Sequence, residues 1–470
     1  MSRINTNIAA LTAARVLNTQ NEQFSTSLQR LSTGYKINNG ADNPSGLIVS
    51  ENLRSEKRSI EQAITNAERA DTIVGTADGA LIEVGKLLVD LQGLIGEVAN
   101  EGGLSTEEIE ANQLQVDSIV STINRISQST TFQGTKLLDG NFDFITSGVT
   151  STELTGVSVN AARFGSATSI GVDVEVTASA QLAELGFAGP GLAAANDITI
   201  EVAGNLGSQL FSFQGSATTA QIRDAINQAT EITGVSASLS TTGLVINSQQ
   251  YGSSEFVSVT TLSGTFASVS GSSRAEGVDV AVNINGNFAQ GSGLDVSLRT
   301  AFLDVNLELG SAFATALGAS SFDITGGGAK FQISPKVSAQ GQETIGIKSV
   351  APQHLGKATD GHLNDIVTGG SADLVGSNAL SAQKIVDAAA KQISSLRGRL
   401  GAFQKNTLGS TINSLQVALE NASAAESAIR DTDFASETAN LTRSQILVAA
   451  ATNALGLANN QPQNVLRLLG

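Results

Sequence analysis

The two histidines, His354 and His362, are the side chains best suited to acid–base or metal chemistry, and both lie in a polar stretch. Neutral imidazole is a common metal ligand. No His-Glu-x-x-His motif accompanies them, so two solvated side chains are the expected interpretation. The chain has no cysteine, which excludes disulfides, thiolate metal sites and cysteine nucleophiles. The sequence therefore predicts a protein that is not an enzyme and holds no metal or cofactor.

A run of three glycines, Gly326-Gly327-Gly328, is the other candidate site, because glycine-rich loops cradle phosphate groups. This run lacks the Lys-Ser/Thr pair and the helix start that a phosphate loop requires. The flanking sequence from Phe322 to Ile333 favours two short strands instead. We therefore expect a hairpin loop here.

Charge and hydropathy exclude two further classes of partner. The net charge of -16 at pH 7 disfavours nucleic-acid binding, because phosphate contacts need clustered Lys and Arg. No run of eighteen apolar residues occurs, so no membrane insertion is expected. Residues 1–18 also lack the continuous apolar segment of a secretory signal peptide.

A heptad seam from Ile60 to Val98 is the strongest structural pattern in the chain. Apolar or small residues alternate at spacings of three and four, as in helices that under-wind against partner helices. No proline interrupts the seam, so we predict one helix about 60 Å long. The seam consists of Ile60, Ala63, Ala67, Ala70, Val74, Ala77, Leu81, Val84, Leu88, Leu91, Ile95 and Val98.

Other predicted helices near the N-terminus could cover this seam. Apolar residues recur at helical spacing from Ile4 to Leu31, before a turn region rich in Gly, Asn and Pro. Ser105 and Glu108 form a capping box that predicts the start of a further helix. The apolar spacing of that helix continues from Ile109 to Ile126.

The C-terminal third also predicts long helices. A stripe from Ile385 to Phe403 changes phase and resumes at Leu408. A last helix is predicted from about Phe434 to Asn459, because Pro462 removes a backbone donor and stops a helix.

The middle of the chain changes to Ser, Thr, Gly and Val, with alternating patterns typical of half-buried strands. Residues 278–284 are one such strand, and Asn285-Gly286 predicts a hairpin turn after it. The fold class is therefore α+β: a long antiparallel helical bundle from both chain ends, with one or two β-rich domains inserted. The expected segments are 1–43 (inner coiled coil), 44–141 (helical core), 142–320 (β-rich surface domains), 321–429 (helical core with a β-hairpin) and 430–470 (inner coiled coil).

Two groups of short motifs lie at opposite ends of the chain. At the start these are Arg3-Ile4-Asn5-Thr6-Asn7, Leu31-Ser32-Thr33-Gly34 and Ala41-Asp42-Asn43-Pro44-Ser45-Gly46. At the end they include Arg430-Asp431-Thr432-Asp433-Phe434-Ala435 and Gln461-Pro462-Gln463-Asn464-Val465. These motifs resemble bacterial flagellin, and residues 198–259 in the middle resemble a module of flagellins and hook-associated proteins.

The resemblance implies a structural subunit of the flagellar filament, exported by the flagellar type III apparatus to the cell exterior. Its implied partners are copies of itself, an export chaperone bound through the C-terminal segment, the filament cap and the hook-filament junction proteins. A hook-filament junction protein is the first alternative, and a secreted β-domain adhesin is the second. Some members of the family carry a metallopeptidase in the middle domain, but this chain lacks its motif.

The resemblance also suggests which residues contact neighbouring subunits. Charged and apolar residues of both terminal segments are the candidates, because their counterparts in the family lie in the filament core. The predicted assembly residues are Ile4, Ile8, Leu11, Leu28, Leu31, Asn38, Asp42, Arg430, Asp431, Asp433, Phe434, Leu441, Arg443, Leu447, Leu455 and Leu466.

The long helix departs from the family at a receptor motif. Flagellins detected by the vertebrate innate receptor typically carry Leu-Gln-Arg-x-Arg-Glu-Leu, whereas this chain has Leu88-Val89-Asp90-Leu91-Gln92-Gly93-Leu94. Asp90 and Gln92 replace the two arginines. We therefore expect weak or no receptor activation.

Overall fold

The computed structural model describes residues 6–165, 167–188, 197–240, 243–266, 268, 271–376 and 378–469, with the backbone alone at 101, 188 and 462–469. The chain divides into two compact units. The first contains residues 1–68, 333–336 and 408–470, and the second contains 69–332 and 337–407. In the described ranges, no helix is both long enough and apolar enough to cross a bilayer.

Long helices occupy both chain ends and a β-rich region lies between them, which confirms the predicted α+β class. A π-helix at Phe403–Gly409 joins two of the C-terminal helices. The α-helices are α1 (Ile8–Thr33), α2 (Pro44–Val98), α3 (Thr106–Ser129), α4 (Thr219–Gln228), α5 (Thr230–Thr233), α6 (Ser311–Ala314), α7 (Ala379–Ala402), α8 (Ser410–Arg430) and α9 (Phe434–Leu469).

All twelve residues of the heptad seam on α2 are buried, with exposures of 3% or less. In the first unit, Ile60 and Ala63 pack against Leu415 of α8. In the second unit, the seam from Val74 to Val98 packs against apolar residues of α3 and α7. The repeat produces this burial because spacings of three and four keep one face of the helix toward its partners.

Polar contacts show that α2 and α7 are antiparallel in the second unit. The Arg397 guanidinium donates to Asp78 at 2.9 Å, and Gln92 donates to Asp387 at 2.7 Å. The π-helix that follows α7 provides the physical basis of the phase change in the sequence. It absorbs one extra residue between Phe403 and Leu408, whose spacing of five replaces the usual four.

Helix α3 begins with the predicted capping box between Ser105 and Glu108. Its buried Gln113 donates to the carbonyl of Ile366 and accepts from the N–H of Leu374, which fixes the loop before α7. One turn later, the Asp117 carboxylate accepts hydrogen bonds from the backbone and hydroxyl of Thr368 at 2.9 and 2.6 Å. Side chains of α3 thus satisfy backbone groups that no strand or helix pairs.

The β-rich region contains an eight-stranded antiparallel sheet with the order β3-β17-β5-β13-β14-β15-β16-β4 and smaller sheets of three and four strands. The strands are β1 (Thr131–Phe132), β2 (Thr135–Lys136), β3 (Phe144–Ser147), β4 (Leu154–Ala162), β5 (Ile170–Ala178), β6 (Leu182–Ala188), β7 (Ile198–Ala203), β8 (Ser208–Phe213), β9 (Val235–Ser240), β10 (Gly243–Tyr251), β11 (Phe256–Ser263), β12 (Arg274–Glu276), β13 (Ala281–Ile284), β14 (Asn287–Ser292), β15 (Asp295–Arg299), β16 (Leu303–Leu309), β17 (Ala319–Gly327), β18 (Ala329–Gln332), β19 (Gln342–Ile345), β20 (Gly356–Lys357) and β21 (Gly361–His362).

Each large part of this region has its own apolar core. Alternate residues of the eight-stranded sheet, such as Val172, Val174 and Val176 of β5, point into one cluster. A second cluster lies between the smaller sheets and α4, which buries Ile222 and Ile226. The predicted turn between β13 and β14 has positive φ at Asn285 and Gly286, as a tight two-residue hairpin requires.

The triple glycine is not the hairpin loop that the sequence predicted. Strand β17 pairs with β3 and β5, whereas β18 pairs with β19. Gly327 has φ +88°, and a Cβ atom there would lie 2.8 Å from Cα of Phe144. Glycine is therefore required because the backbone passes close to another strand while it crosses between two sheets.

The last helix does not end before Pro462, as the sequence predicted, but continues to Leu469. Proline lacks the N–H group that would bond the carbonyl four residues earlier, which is that of Ala458. The side-chain amide of Asn7 donates to that carbonyl at 2.7 Å. A donor from outside the helix thus compensates for the missing bond.

Candidate assembly surface of the terminal helices

Helices α1 and α9 form an antiparallel pair in the first unit. Asn7 contacts Ala458 at one end, and the guanidinium of Arg30 lies 3.8 Å from the Glu437 carboxylate at the other. These contacts are separated by about six turns along each helix. The two helices therefore lie side by side over most of their length.

The helix faces that meet combine small or polar residues with half-buried apolar residues. Among the described side chains of α1, Ser27 is the one that is buried, while Leu17 and Phe24 on the same face are half-buried. On α9 the buried side chains repeat every seven residues, at Glu437, Ser444 and Ala451, and Leu455 beside them is half-buried. Small residues such as serine and alanine at this spacing allow two helices to approach closely.

Other large apolar side chains on these two helices are exposed to solvent. Ile8 and Leu11 are each 64% exposed, and Leu457 is 73% exposed. Exposed apolar surface of this extent is typical of an interaction site. The exposed large apolar residues of the two helices are Ile8, Leu11, Val16, Leu28, Phe434, Ile446, Leu447 and Leu457.

A junction of two short segments follows the helix pair. The N–H of Lys36 donates to the carbonyl of Arg430, and the N–H of Thr432 donates to the carbonyl of Gly34. The Arg430 guanidinium lies 4.4 Å from the ring centroid of Tyr35, as in a cation–π interaction. Gly34 has φ +75°, which ends α1 in the left-handed conformation. Two of the end motifs thus meet directly.

The turn before α2 is held by its own carboxylate and amide side chains. Asp42 accepts from the N–H groups of Asn38 and Asn39, and these hydrogen bonds lower the pKa of Asp42 below its ordinary value. Asn43 accepts from the N–H of Gly46 and so caps α2. A Cβ atom at Gly46 would lie 2.7 Å from side-chain atoms of Asn43 and Ile37, so a larger residue would require these side chains to shift.

The predicted assembly residues therefore fall into two groups. Asn38, Asp42, Arg430, Asp431 and Asp433 make contacts within the chain; Asp433, for example, accepts from the N–H groups of Ala435 and Ser436 at the start of α9. A second group is exposed or half-buried on the helix surfaces. It consists of Ile8, Leu11, Leu28, Leu31, Phe434, Leu441, Arg443, Leu447 and Leu455, while Ile4 and the side chain of Leu466 lie outside the described residues.

Sequence reasoning missed three residues of this region. Ser27 and Glu437 are buried, and Tyr35, which is 40% exposed, contacts Arg430, but none of them belongs to an apolar stripe. The heptad spacing of Glu437, Ser444 and Ala451 was the available signal.

The two histidines line a cavity of about 810 Å³ in the second unit, together with Lys348, Lys357 and Arg399. Burial lowers the pKa of the Lys348 ammonium, and Lys357 pairs with Asp295 at 2.8 Å. His354 is exposed and His362 is half-buried. In the part of the chain that the structure describes, no group of three His, Asp or Glu side chains could hold a metal ion.

Family models match three parts of the chain. Residues 4–143 match the bacterial flagellin N-terminal helical region, and residues 383–469 match the bacterial flagellin C-terminal helical region. Residues 197–250 match the flagellin hook IN motif. These ranges contain the helix pair, the junction and all of the α2 seam.

Solved structures with some likeness include FliC from Burkholderia pseudomallei, at 18% identity and a TM-score of 0.24 over 71% of this chain and 98% of that one. The flagellar junction protein FlgL from Legionella pneumophila is 12% identical, with a TM-score of 0.29 over 81% of this chain and 99% of that one. Superpositions at these TM-scores do not define a shared fold.

Curated relatives match along the full length. Flagellin B of Helicobacter pylori is 28% identical over 518 residues, which cover 99% of each chain. B-type flagellin of Pseudomonas aeruginosa is 31% identical over 524 residues, again 99% of each chain. A match of this identity that extends from one end to the other means that the chain belongs to the bacterial flagellin family.

Proposed function

We propose that this chain is a structural subunit that polymerises into the extracellular bacterial flagellar filament, the helical propeller for swimming. Bacterial flagellins are a family of structural proteins. The observation that carries the proposal is the exposure of large apolar residues on both terminal helices. A second copy of the chain can cover this surface, and head-to-tail contacts that do not close into a ring produce helical filaments.

Electron microscopy of the purified chain, after seeding with short filament fragments, tests this function. Long filaments are expected from the full chain. Deletion of residues 1–40 or 435–470 removes one helix of the pair and should abolish growth. Soluble protein from the full chain would contradict the proposal and favour a hook-filament junction protein, which has the same architecture and does not polymerise alone.

Arg443 is the charged residue of α9 that we propose to contact a neighbouring subunit. It is exposed, and reversing its charge should not disturb the packing of its own helix. Arg443→Glu should block filament growth while the far-ultraviolet circular dichroism of the monomer is retained. Arg223→Glu is the matched control, because Arg223 lies in the inserted module and pairs with its neighbour Asp224. Normal filaments from Arg443→Glu would refute the assignment.

We also propose partners at the two ends of the filament and during export. In this proposal, the cap and hook-filament junction proteins present terminal helices similar to α1 and α9 of this chain. The export chaperone binds the exposed apolar face of α9. Leu447 and Leu457 are 41% and 73% exposed and would be covered by such a chaperone. If the export chaperone still co-purified with this chain after α9 was deleted, that result would contradict the proposed chaperone site.

Weak activation of the vertebrate innate receptor is a further proposal. Leu88 and Leu91 are buried, so a receptor could contact only the other side chains of this stretch. Asp90 is exposed, and Gln92 is engaged with Asp387. An acidic side chain therefore occupies a place where the receptor-activating motif has arginine. A cell reporter that responds as strongly as to a flagellin with the arginine motif would contradict this proposal.

A further inference from the structure

Asn7 and Pro462 belong to the two outermost motifs of the chain, and the fold brings these motifs together. The Asn7 carboxamide makes two hydrogen bonds with different atoms. Its oxygen accepts from the N–H of Ala10 at 3.0 Å and caps α1. Its nitrogen donates to the carbonyl of Ala458 at 2.7 Å on α9.

The carbonyl of Ala458 differs from its neighbours on α9 in one respect. In an α-helix each carbonyl accepts from the N–H four residues later, and for Ala458 that residue is Pro462, which has no N–H. Pro462 is the single proline in the sequence of α9. A half-buried carbonyl without a donor is costly, so the helix can continue past the proline at little cost only if another group donates.

We infer that Asn7 is the positioning residue that sets the register of the two terminal helices. The Ala458 carbonyl on α9, which has no donor within its own helix, accepts from the Asn7 side chain that caps α1. A slip of either helix by one turn, about 5.4 Å, would leave that carbonyl without its donor. The same slip would also separate Arg30 from Glu437 at the other end of the pair. The inference rests on the proposed filament function, because the register decides which apolar residues α1 and α9 present to the next subunit.

The test uses four full-length chains: the natural chain, Asn7→Ser, Pro462→Ala and the double variant. Serine caps a helix about as well as asparagine, but it is too short to reach Ala458. Alanine at position 462 restores the N–H inside α9. The critical concentration for seeded growth should rise roughly two- to tenfold in Asn7→Ser, the range expected for one lost hydrogen bond. It should return to within about twofold of the natural value in the double variant.

Two results would overturn the inference. Asn7→Ser could grow like the natural chain, or it could be impaired without rescue by Pro462→Ala. A general loss of helix structure would not be rescued by a change 455 positions away.

The same four chains are also compared as soluble protein by hydrogen exchange of the amides of α1 and α9. Faster exchange in Asn7→Ser that Pro462→Ala reverses supports the register role even if no chain forms filaments. In that case the proposed function would fail and this inference would stand. Equal exchange in all four chains would overturn the inference while leaving the proposed function intact.

Discussion

Helices α2 and α1 both carry apolar residues at heptad spacing, but they use them differently. On α2 the twelve seam residues are at most 3% exposed. On α1 the apolar residues Ile8, Leu11 and Leu28 are 45–64% exposed, and the residue that is fully buried is Ser27. A helix that buries its apolar stripe within its own chain needs no further partner to cover that stripe. A helix that exposes it still requires a partner.

The difference separates a buried core from the exposed surface that we propose for assembly. The α2 seam is continuous and covered by α3, α7 and α8, each within its own unit. The α1 and α9 pair leaves Ile8, Leu11 and Leu457 64–73% exposed, so these side chains are available to a second copy. Stability and assembly should therefore respond to different substitutions.

The largest effect on folding should come from Leu88→Ala. Leu88 is fully buried in the core of the second unit, and removal of its side chain leaves a cavity among packed neighbours. The free energy of unfolding should fall by about 2–5 kcal/mol. Urea denaturation followed by circular dichroism measures it. A loss below about 1 kcal/mol would mean that this part of the seam is not a packed core.

Leu11→Ala should impair filament growth rather than folding. Because Leu11 is 64% exposed, its truncation should change the free energy of unfolding by less than about 0.5 kcal/mol. Seeded filament growth should nevertheless slow markedly, since the side chain would be buried by a neighbouring subunit. Leu206→Ala is the control, because Leu206 is 63% exposed but lies in the inserted module. Equal effects of Leu11→Ala and Leu206→Ala on filament growth would contradict the proposal that Leu11 contacts a neighbouring subunit.

A modest, pH-dependent effect on stability should come from Asp117→Asn in the second unit. Burial raises the pKa of Asp117, but hydrogen bonds from Thr368 and Gln113 outweigh it, so its folded pKa lies below the ordinary value. A lowered folded pKa contributes stability above the unfolded pKa of about 3.9, and this contribution is lost as the pH falls through the folded pKa.

Asp117→Asn should therefore cost about 1 kcal/mol at pH 7, because the hydrogen bonds from Thr368 and Gln113 lose their charged acceptor at a half-exposed site. The difference from the natural chain should shrink as the pH falls below about 3.9. Thermal unfolding at several pH values measures it. A difference that persists unchanged in acid would show that the carboxylate charge is not the cause.

Much of the fold could be predicted from local patterns. The heptad seam specified α2, the Ser105–Glu108 pair specified the start of α3, and Asn285-Gly286 specified a hairpin turn. Each of these signals depends on residues within a few positions of one another. The change of phase before Leu408 was also visible, and the structure assigns it to a π-helix.

Two predictions failed because they depended on distant parts of the chain. The triple glycine was expected to close a hairpin, but the adjacent strands β17 and β18 pair with strands that the local sequence does not identify. The last helix was expected to stop before Pro462, because proline removes a donor. The missing donor is supplied by Asn7, at the opposite end of the sequence.

For the candidate site, the sequence by itself determined that both chain ends form amphipathic helices and that their end motifs resemble flagellin. It did not determine which face of α1 turns inward, because apolar residues occur around more than one face. Only the tertiary structure decided that Ser27, Glu437 and Ala451 lie inside and that Ile8, Leu11 and Leu457 lie outside. The physical reason is that the contact between α1 and α9, which lie at opposite ends of the sequence, decides which face of each helix is covered, and no local pattern specifies that contact.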